Sequence, residues 1–368
     1  MFIVKIEKNN LLNPLQKIIG IVERKQPFPI LSNVLIEKKD SNIRFIATDL
    51  EIQISTQFTD ANQTSSDTAI TVAAKKLQEI LKVLPEGSKV TLDINESRLL
   101  VKGNKSKFTL QTLPAQDFPK ILENLEQAIK IQIDQGKLKK LLGMVQYAMA
   151  QQDIRYYLKG VLLVIDGSFL KLIATDGHRL AYIVTKLDQE YLKREIILPR
   201  KTVNELIRLL SETEEKITIE LAENQVRMIF SDIILISKVI DGKFPDYERV
   251  IPSYTNKLTL NRIEILQALQ RAAILSNEQF RGVRFVLTEN NLRIISNNSE
   301  QEEAQEDMEI DYQGTALDVG FNVNYLMDGL NNTSSQTVIL SFGDSNSSIL
   351  ITIPGNEEFK YVVMPMRI

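Results

Sequence analysis

The chain repeats itself, and internal repetition restricts the fold more than any single motif does. In VAAKKLQEILKVL, residues Leu77, Ile80, Leu81 and Leu84 stand at helical spacing. The same pattern returns 126 residues later as Val203, Leu206, Ile207 and Leu210, and 120 residues further on as Val323, Leu326, Met327 and Leu330. An earlier stripe behaves alike: Leu12, Leu15, Ile19 and Val22, then Leu138, Leu141, Leu142 and Val145, then Ile265, Leu269 and Ala272. Apolar residues at i, i+3 or i+4 and i+7 mark the buried face of an amphipathic helix. The Ala-Thr-Asp of IRFIATDLEIQIS (43–55) reappears in LKLIATDGHRLAYI (170–183) and more weakly in LRIISNN (292–298), and Phe118-Pro119 reappears as Phe244-Pro245.

Dividing 368 residues by three gives about 123, an ordinary domain size. Between the helices lie short alternating runs such as KVTLDI, RLLVKG, KFTLQTL, KITIEL, QVRMIF, TVILSF and SILITI, bounded by Gly, Asn, Asp and Ser. These read as antiparallel strands. The expected fold class is α+β, three tandem similar domains over 1–126, 127–254 and 255–368, each with two helices on one side of its sheets.

The second Ala-Thr-Asp is followed by His178, the only histidine, with Asp176 and Arg179 beside it. A lone imidazole next to a carboxylate suggests general acid–base chemistry. The first copy carries Leu50 and Glu51 where Gly177 and His178 stand, so the turn exists without the histidine and no second catalytic group completes a triad. No catalytic residue is expected. With no Cys and one His, thiol chemistry, disulfides and Cys- or His-rich metal centres are excluded, and neither metal nor cofactor is expected. The chain is 43% hydrophobic and 25% charged, with no apolar run of the roughly 18 residues that a membrane helix needs. MFIVKIEKNN alternates like a strand and lacks the apolar core of a signal peptide, so a cytoplasmic protein without membrane contact is expected.

The net charge of −3 conceals an uneven distribution. Lys8, Lys17, Arg24 and Lys25 lie in or beside the first helix, Lys75, Lys76 and Lys82 in the second, Lys137, Lys139 and Lys140 in the third, and Arg200, Lys201 and Arg208 in the fourth. Most fall off the apolar stripe. They read either as solvated faces or, because they recur in related copies, as one basic surface facing phosphates without reading bases. QQDIRYYLKG adds Gln151, Gln152, Arg155, Tyr156 and Tyr157, groups suited to a sugar-phosphate backbone, although core packing of a Tyr reads equally well. Double-stranded DNA held through Arg24, Lys25, Lys75, Gln152, Tyr156, Tyr157 and Lys201 is one expectation. A three-repeat protein scaffold that never meets DNA is the alternative.

The ends of the array differ in sign. RLLVKGNKSKFTLQTL (98–113) carries four basic residues and no acidic one, whereas SEQEEAQEDMEI (299–310) carries six acidic residues and no basic one. Such charges protect an isolated edge strand, and they also suit head-to-tail pairing of two chains into a ring of six domains. The expected homodimer seam sets Lys76, Arg98, Lys105, Lys107, Phe108 and Leu110 against Ile274, Leu275, Glu300, Glu302 and Glu303.

Six segments in order, QQDIRYYL (151–158), ATDGHRLA (174–181), DGKFPDYERVIP (241–252), RAAILSNEQFRGVR (271–284), FNVNY (321–325) and YVVMPMRI (361–368), make the chain resemble the bacterial DNA polymerase III β subunits, the sliding clamps, over essentially its whole length. The resemblance implies a DNA clamp fold, with a head-to-tail dimer of six domains, helices lining the hole and sheets outside. It implies a processivity factor that encircles duplex DNA without sequence specificity and is not itself an enzyme. The partners it implies are the polymerase III α subunit, the clamp loader δ subunit, and other polymerases and repair proteins carrying short linear motifs. Carried over by position, their pocket comprises Leu158, Thr175, Gly177, His178, Arg179, Leu180, Pro245, Arg249, Val250, Asn322, Tyr325, Ser348, Val362, Val363, Met364, Pro365, Met366 and Arg367. Asn346 stands where the family has an apolar residue, and Lys25 and Lys75 where Arg is more usual. Lys keeps the attraction for phosphate without the bidentate fork.

Overall fold

The computed structural model describes residues 2–23, 28–59 and 67–367. The DNA-facing candidates Arg24 and Lys25 lie outside the described residues. Six α-helices occur among those described: α1 (Lys8–Ile18), α2 (Ala74–Val83), α3 (Gln135–Gly143), α4 (Arg200–Leu209), α5 (Arg262–Ala272) and α6 (Val323–Asn331). Each begins at the residue after a strand ends, at Glu7, Ala73, Asp134, Pro199, Asn261 and Asn322 respectively. The stripes are buried as their spacing requires, with Leu11, Leu12, Leu15 and Ile18 in α1, Leu77 and Leu81 in α2, and Ile265, Leu269 and Ala272 in α5.

The repetition extends to individual hydrogen bonds. The first backbone N–H of α1, α3 and α5 donates to the carbonyls of Ser88 (2.8 Å), Glu215 (2.9 Å) and Gln336 (2.9 Å). The side chain of that same first residue then reaches the tail of its companion helix. Lys8 Nζ donates to the Leu84 carbonyl at 2.9 Å, Arg262 Nη1 to the Leu330 carbonyl at 3.1 Å, and Gln135 Oε1 accepts from the Ser211 N–H at 3.3 Å. Helix ends leave backbone groups unsatisfied, and these bonds meet that need differently in each copy.

Asn261 and Asn322 cap α5 and α6, each side chain accepting two backbone N–H groups. Asn261→Ala should cost about 1 kcal/mol and lower the unfolding midpoint by roughly 2–4 °C in calorimetry. An unchanged midpoint would contradict the cap.

The chain forms two compact units, Met1–Lys137 with Glu205–Val239, and Leu138–Asn204 with Ile240–Ile368. The first holds a continuous antiparallel sheet of twelve strands among the described residues. Within it the strand Ile52–Thr59 of the first repeat pairs with Ile233–Lys238 of the second, Ile54 opposite Leu235. The second unit holds a six-stranded and a four-stranded sheet. Here Arg179–Pro199 pairs with Asn356–Val363, Leu180 opposite Val362, so second and third repeats also share a sheet. The recurring Phe-Pro segments are anchors. Phe118 is buried with Leu35 and Ile46, and Phe244 with Leu158, Leu180 and Val362.

Several basic residues expected on solvated helix faces are structural instead. Lys8 is only 2% exposed, because the end of α2 needs a donor and Glu86 Oε1 lies 2.6 Å from its ammonium. Lys17 pairs with Asp232 at 2.5 Å. Arg200 Nη1 donates to the carbonyls of Met149 (3.3 Å) and Ala150 (3.4 Å). Arg208 pairs with Glu205 at 2.6 Å and donates to the carbonyl of Lys17 at 2.5 Å, closing the end of α1.

Candidate functional site

The two Ala-Thr-Asp turns are the same device. In the second, Thr175 Oγ1 donates to the Arg179 carbonyl at 2.6 Å and accepts from Gly177 N–H at 3.1 Å, while Asp176 Oδ1 accepts from the N–H groups of His178 (2.9 Å) and Arg179 (3.1 Å). In the first, Thr48 Oγ1 donates to the Ile52 carbonyl at 3.0 Å and accepts from Leu50 N–H at 3.1 Å, while Asp49 Oδ1 accepts from Glu51 and Ile52 N–H. The aspartate therefore organises a turn. Gly177 has φ +90°, matched by Leu50 at +80°, so positive φ alone does not demand glycine. A Cβ at Gly177 would lie 2.9 Å from the Arg155 guanidinium, so a side chain there would push that arginine from its place.

Arg179 holds the turn in place. It is 9% exposed, and it donates to Asp176 Oδ2 (3.0 Å), Asp328 Oδ2 on α6 (2.5 Å) and the Tyr147 carbonyl (2.6 Å). Its guanidinium also stacks over Tyr325, 4.4 Å from the ring centroid. A buried cation with every face occupied fixes geometry, because an unpaired one would cost several kcal/mol.

Beside this turn opens a cleft of about 160 Å³, lined by Arg155, Leu158, Thr175, Gly177, Arg179, Leu180, Pro245, Tyr247, Val250, Val362 and Met364. Leucine, valine, proline and methionine make an adaptable apolar hollow, and Arg155 and Tyr247 bring polar groups to its walls. Arg155 is steadied by Asp153 (Nη2–Oδ2, 2.8 Å) and by the Asp176 carbonyl (3.2 Å). The Arg155 bonds in turn hold the Asp153 carboxyl down at about 2. Burial, and then Glu248, push the Tyr247 phenol up to about 12, so it remains a hydroxyl donor at neutral pH.

Nine of the eighteen pocket residues expected from the sequence line this cleft: Leu158, Thr175, Gly177, Arg179, Leu180, Pro245, Val250, Val362 and Met364. The rest do not. His178 is exposed, and its backbone rather than its side chain is engaged, the N–H by Asp176 Oδ1 and the carbonyl by Met364 N–H at 2.9 Å. Arg249 is exposed and pairs with Asp246 at 2.8 Å. Asn322 caps α6, Tyr325 packs under Arg179, and Val363 is fully buried in the sheet. Ser348 meets the Tyr254 hydroxyl at 3.4 Å. Beyond Pro365 the chain is drawn aside by the bond of Met366 N–H to the Gly320 carbonyl (2.8 Å). Met366 and Arg367 consequently line a different hollow, of about 350 Å³, with Asn277 and Phe280. Asn346 sits in the turn held by Asp344, outside the cleft. Arg155, read from the sequence as a backbone-contact group, and Tyr247 are the additions; both lie inside the segments that carry the family resemblance.

The DNA-facing candidates among the described residues are spread over separate elements. Lys75 and Lys201 are half-buried at the starts of α2 and α4; Gln152 and Tyr156 are exposed and Tyr157 half-buried. Tyr156 and Tyr157 meet edge to face at 5.8 Å. The seam candidates lie on two incompletely paired strands. Ser106–Pro114 pairs with Arg98–Gly103 from Ser106 to Gln111 and with Thr68–Ala73 only from Thr112 onward, leaving the other side of its first part as an edge that carries Lys107, Phe108 and Leu110. Glu303–Glu309 is the outer strand of the four-stranded sheet. There Glu306 and Asp307 pair with Arg271 and Arg293, while Glu300, Glu303 and Glu309 have no ion pair among the described residues. Ile274 is 76% exposed, and Leu275 half-buried.

Family profiles of the DNA polymerase III beta subunit match consecutive stretches: its N-terminal domain at residues 1–122, central domain at 132–246 and C-terminal domain at 248–367. The beta sliding clamp of Pseudomonas putida is 42% identical over 366 residues, 99% of each chain. That of Escherichia coli is 39% identical over 364 residues, again 99% of each. A crystal structure of a sliding clamp from Pseudomonas aeruginosa bound to griselimycin superposes with a TM-score of 0.96 at 41% identity, covering 100% of both chains. The threefold repeat of strand, helix and hydrogen bond is thus that of three tandem clamp domains, and the chain belongs to the DNA polymerase III β subunit family, the non-catalytic sliding clamps.

Proposed function

We propose that two copies of this chain join head to tail into a closed ring of six domains around duplex DNA. In that ring the domains run over 1–126, 127–254 and 255–368. The basic edge at Lys107, Phe108 and Leu110, with Lys76, Arg98 and Lys105, meets the acidic edge at Glu300, Glu302 and Glu303, with Ile274 and Leu275. The observation that carries this reading is the pair of half-paired strands of opposite charge, each presenting free backbone donors and acceptors to a second chain. Lys75, Gln152, Tyr156, Tyr157 and Lys201, with Arg24 and Lys25, then face phosphates, and such contacts permit sliding because they read no bases.

The cleft beside Arg179 receives the apolar linear motif of a polymerase α subunit, a clamp loader δ subunit or a repair protein, in the cytoplasm. Griselimycin on a clamp 41% identical is a precedent for a peptide ligand in this family. In light scattering the chain should weigh about twice 41.9 kDa at micromolar concentration, and should stay on nicked circular DNA while running off linear DNA. Ile274→Asp should give a folded monomer, since Ile274 is already exposed in the single chain. A native monomer, or equal retention on both DNAs, contradicts the ring.

A further inference from the structure

A second hollow of the same unit lies next to the cleft. A groove of about 910 Å³ lies between the segment 247–254 and the six-stranded sheet. Tyr247 lines both this groove and the cleft, so one ring is the partition between them. The two also share a floor. Leu180, Leu350 and Val362 belong to a single buried cluster, against which Tyr182, Tyr247, Ile251 and Tyr254 pack. We infer that the groove continues the cleft, and that it binds the stretch of a partner chain flanking the apolar motif when that flank is acidic with an aliphatic side chain. The inference rests on the cleft being a peptide site.

The chemistry of the walls sets this choice. Tyr182 and Tyr247 stand 6.0 Å apart with planes tilted by only 30°, forming one aromatic wall. The Lys360 ammonium lies over the Tyr182 ring at 5.7 Å, and Lys360 is opposite Tyr182 in the strand register. Ile339, Leu350 and Thr352 come from the same sheet and leave an apolar floor for a leucine-sized side chain. Of the charged groups, Lys257 and Lys360 have no ion pair among the described residues. Glu248 is engaged by Lys171 at 3.8 Å, and Glu357 stands at the hairpin after Gly355, an exposed position. Lys257 and Lys360 stand on strands with two others between them, so an acidic flank laid across the groove meets one cation near each side, Lys360 beside the aromatic wall, while Glu357 is exposed and, like them, has no ion pair among the described residues. Surface charges favour the matching sequence and reject the opposite one more than they add raw affinity.

Fluorescence anisotropy tests this with a labelled five-residue core peptide of leucine and phenylalanine, and the same peptide extended by Leu-Asp-Asp or Leu-Lys-Lys at one end or the other. At one end only, the acidic extension should tighten binding by about fivefold, the basic extension should not, and the gain should disappear in the Lys257→Glu/Lys360→Glu double variant while the core peptide binds that variant as before. Equal affinity for the core and both acidic extensions overturns the inference. So does a gain that survives the double variant, or one given equally by the basic extension. If the core peptide itself fails to bind, the cleft assignment falls first and takes this inference with it. A core peptide that binds and is weakened by Leu180→Asp keeps the two questions apart.

Discussion

Glutamate placed together at Lys75, Lys137 and Lys201 reduces clamp-dependent processive synthesis on the order of a hundredfold, while the thermal midpoint and the dimer mass stay as they were. Lys137 is exposed and the other two half-buried on helix faces, so charge reversal empties no core position. In the proposed ring the change would reverse three charges per subunit on the surface assigned to the duplex, and contacts with phosphates carry the sequence-independent attraction. The loss should shrink as salt rises, because screening weakens attraction and repulsion alike. Undiminished synthesis in primer extension at low salt would favour a scaffold that never meets DNA.

Arg179→Met should be the most damaging single substitution in the second unit. It removes the partner of two carboxylates and a carbonyl, Asp176, Asp328 and Tyr147, and breaking a buried ion pair on one side costs about 3–5 kcal/mol. Asp328 is 41% exposed and can rehydrate, which places the loss toward the lower end of that range. Urea denaturation should show the drop, and the variant should also lose motif-peptide binding, because the turn Thr175–Arg179 forms one wall of the cleft. A variant of native stability and native peptide affinity would show that the turn does not depend on its arginine.

The helices could be read from the sequence because burial of one face imposes a period, and that period survives in three diverged copies. The sign of each outer strand was legible for a similar reason, since an edge is where charge is tolerated. The duties of individual cations were not. A lysine that closes a helix end and a lysine left at the surface are the same letter, and Lys8 is the first residue of α1 as Lys75 is the second of α2; what separates them is that the end of α2 and Glu86 come within reach of Lys8. The cleft was legible in half. Its strand and turn residues carry over from the segments that resemble the family, whereas the departure of Met366 and Arg367 depends on one backbone bond to Gly320, a contact with no signature in local sequence.

The pairing of Ile52–Thr59 with Ile233–Lys238 has a consequence for how the chain is made. The first compact unit includes Glu205–Val239, so its sheet cannot be completed when the first repeat has left the ribosome. Nearly twice that length of chain must emerge before the strand Ile52–Thr59 finds its second neighbour. Until then a long strand edge stays open during synthesis, the kind of exposure that invites wrong association and that slows a fold built on distant contacts. Duplication multiplied one segment of sequence, but the nascent chain folds in parcels that cut across the copies.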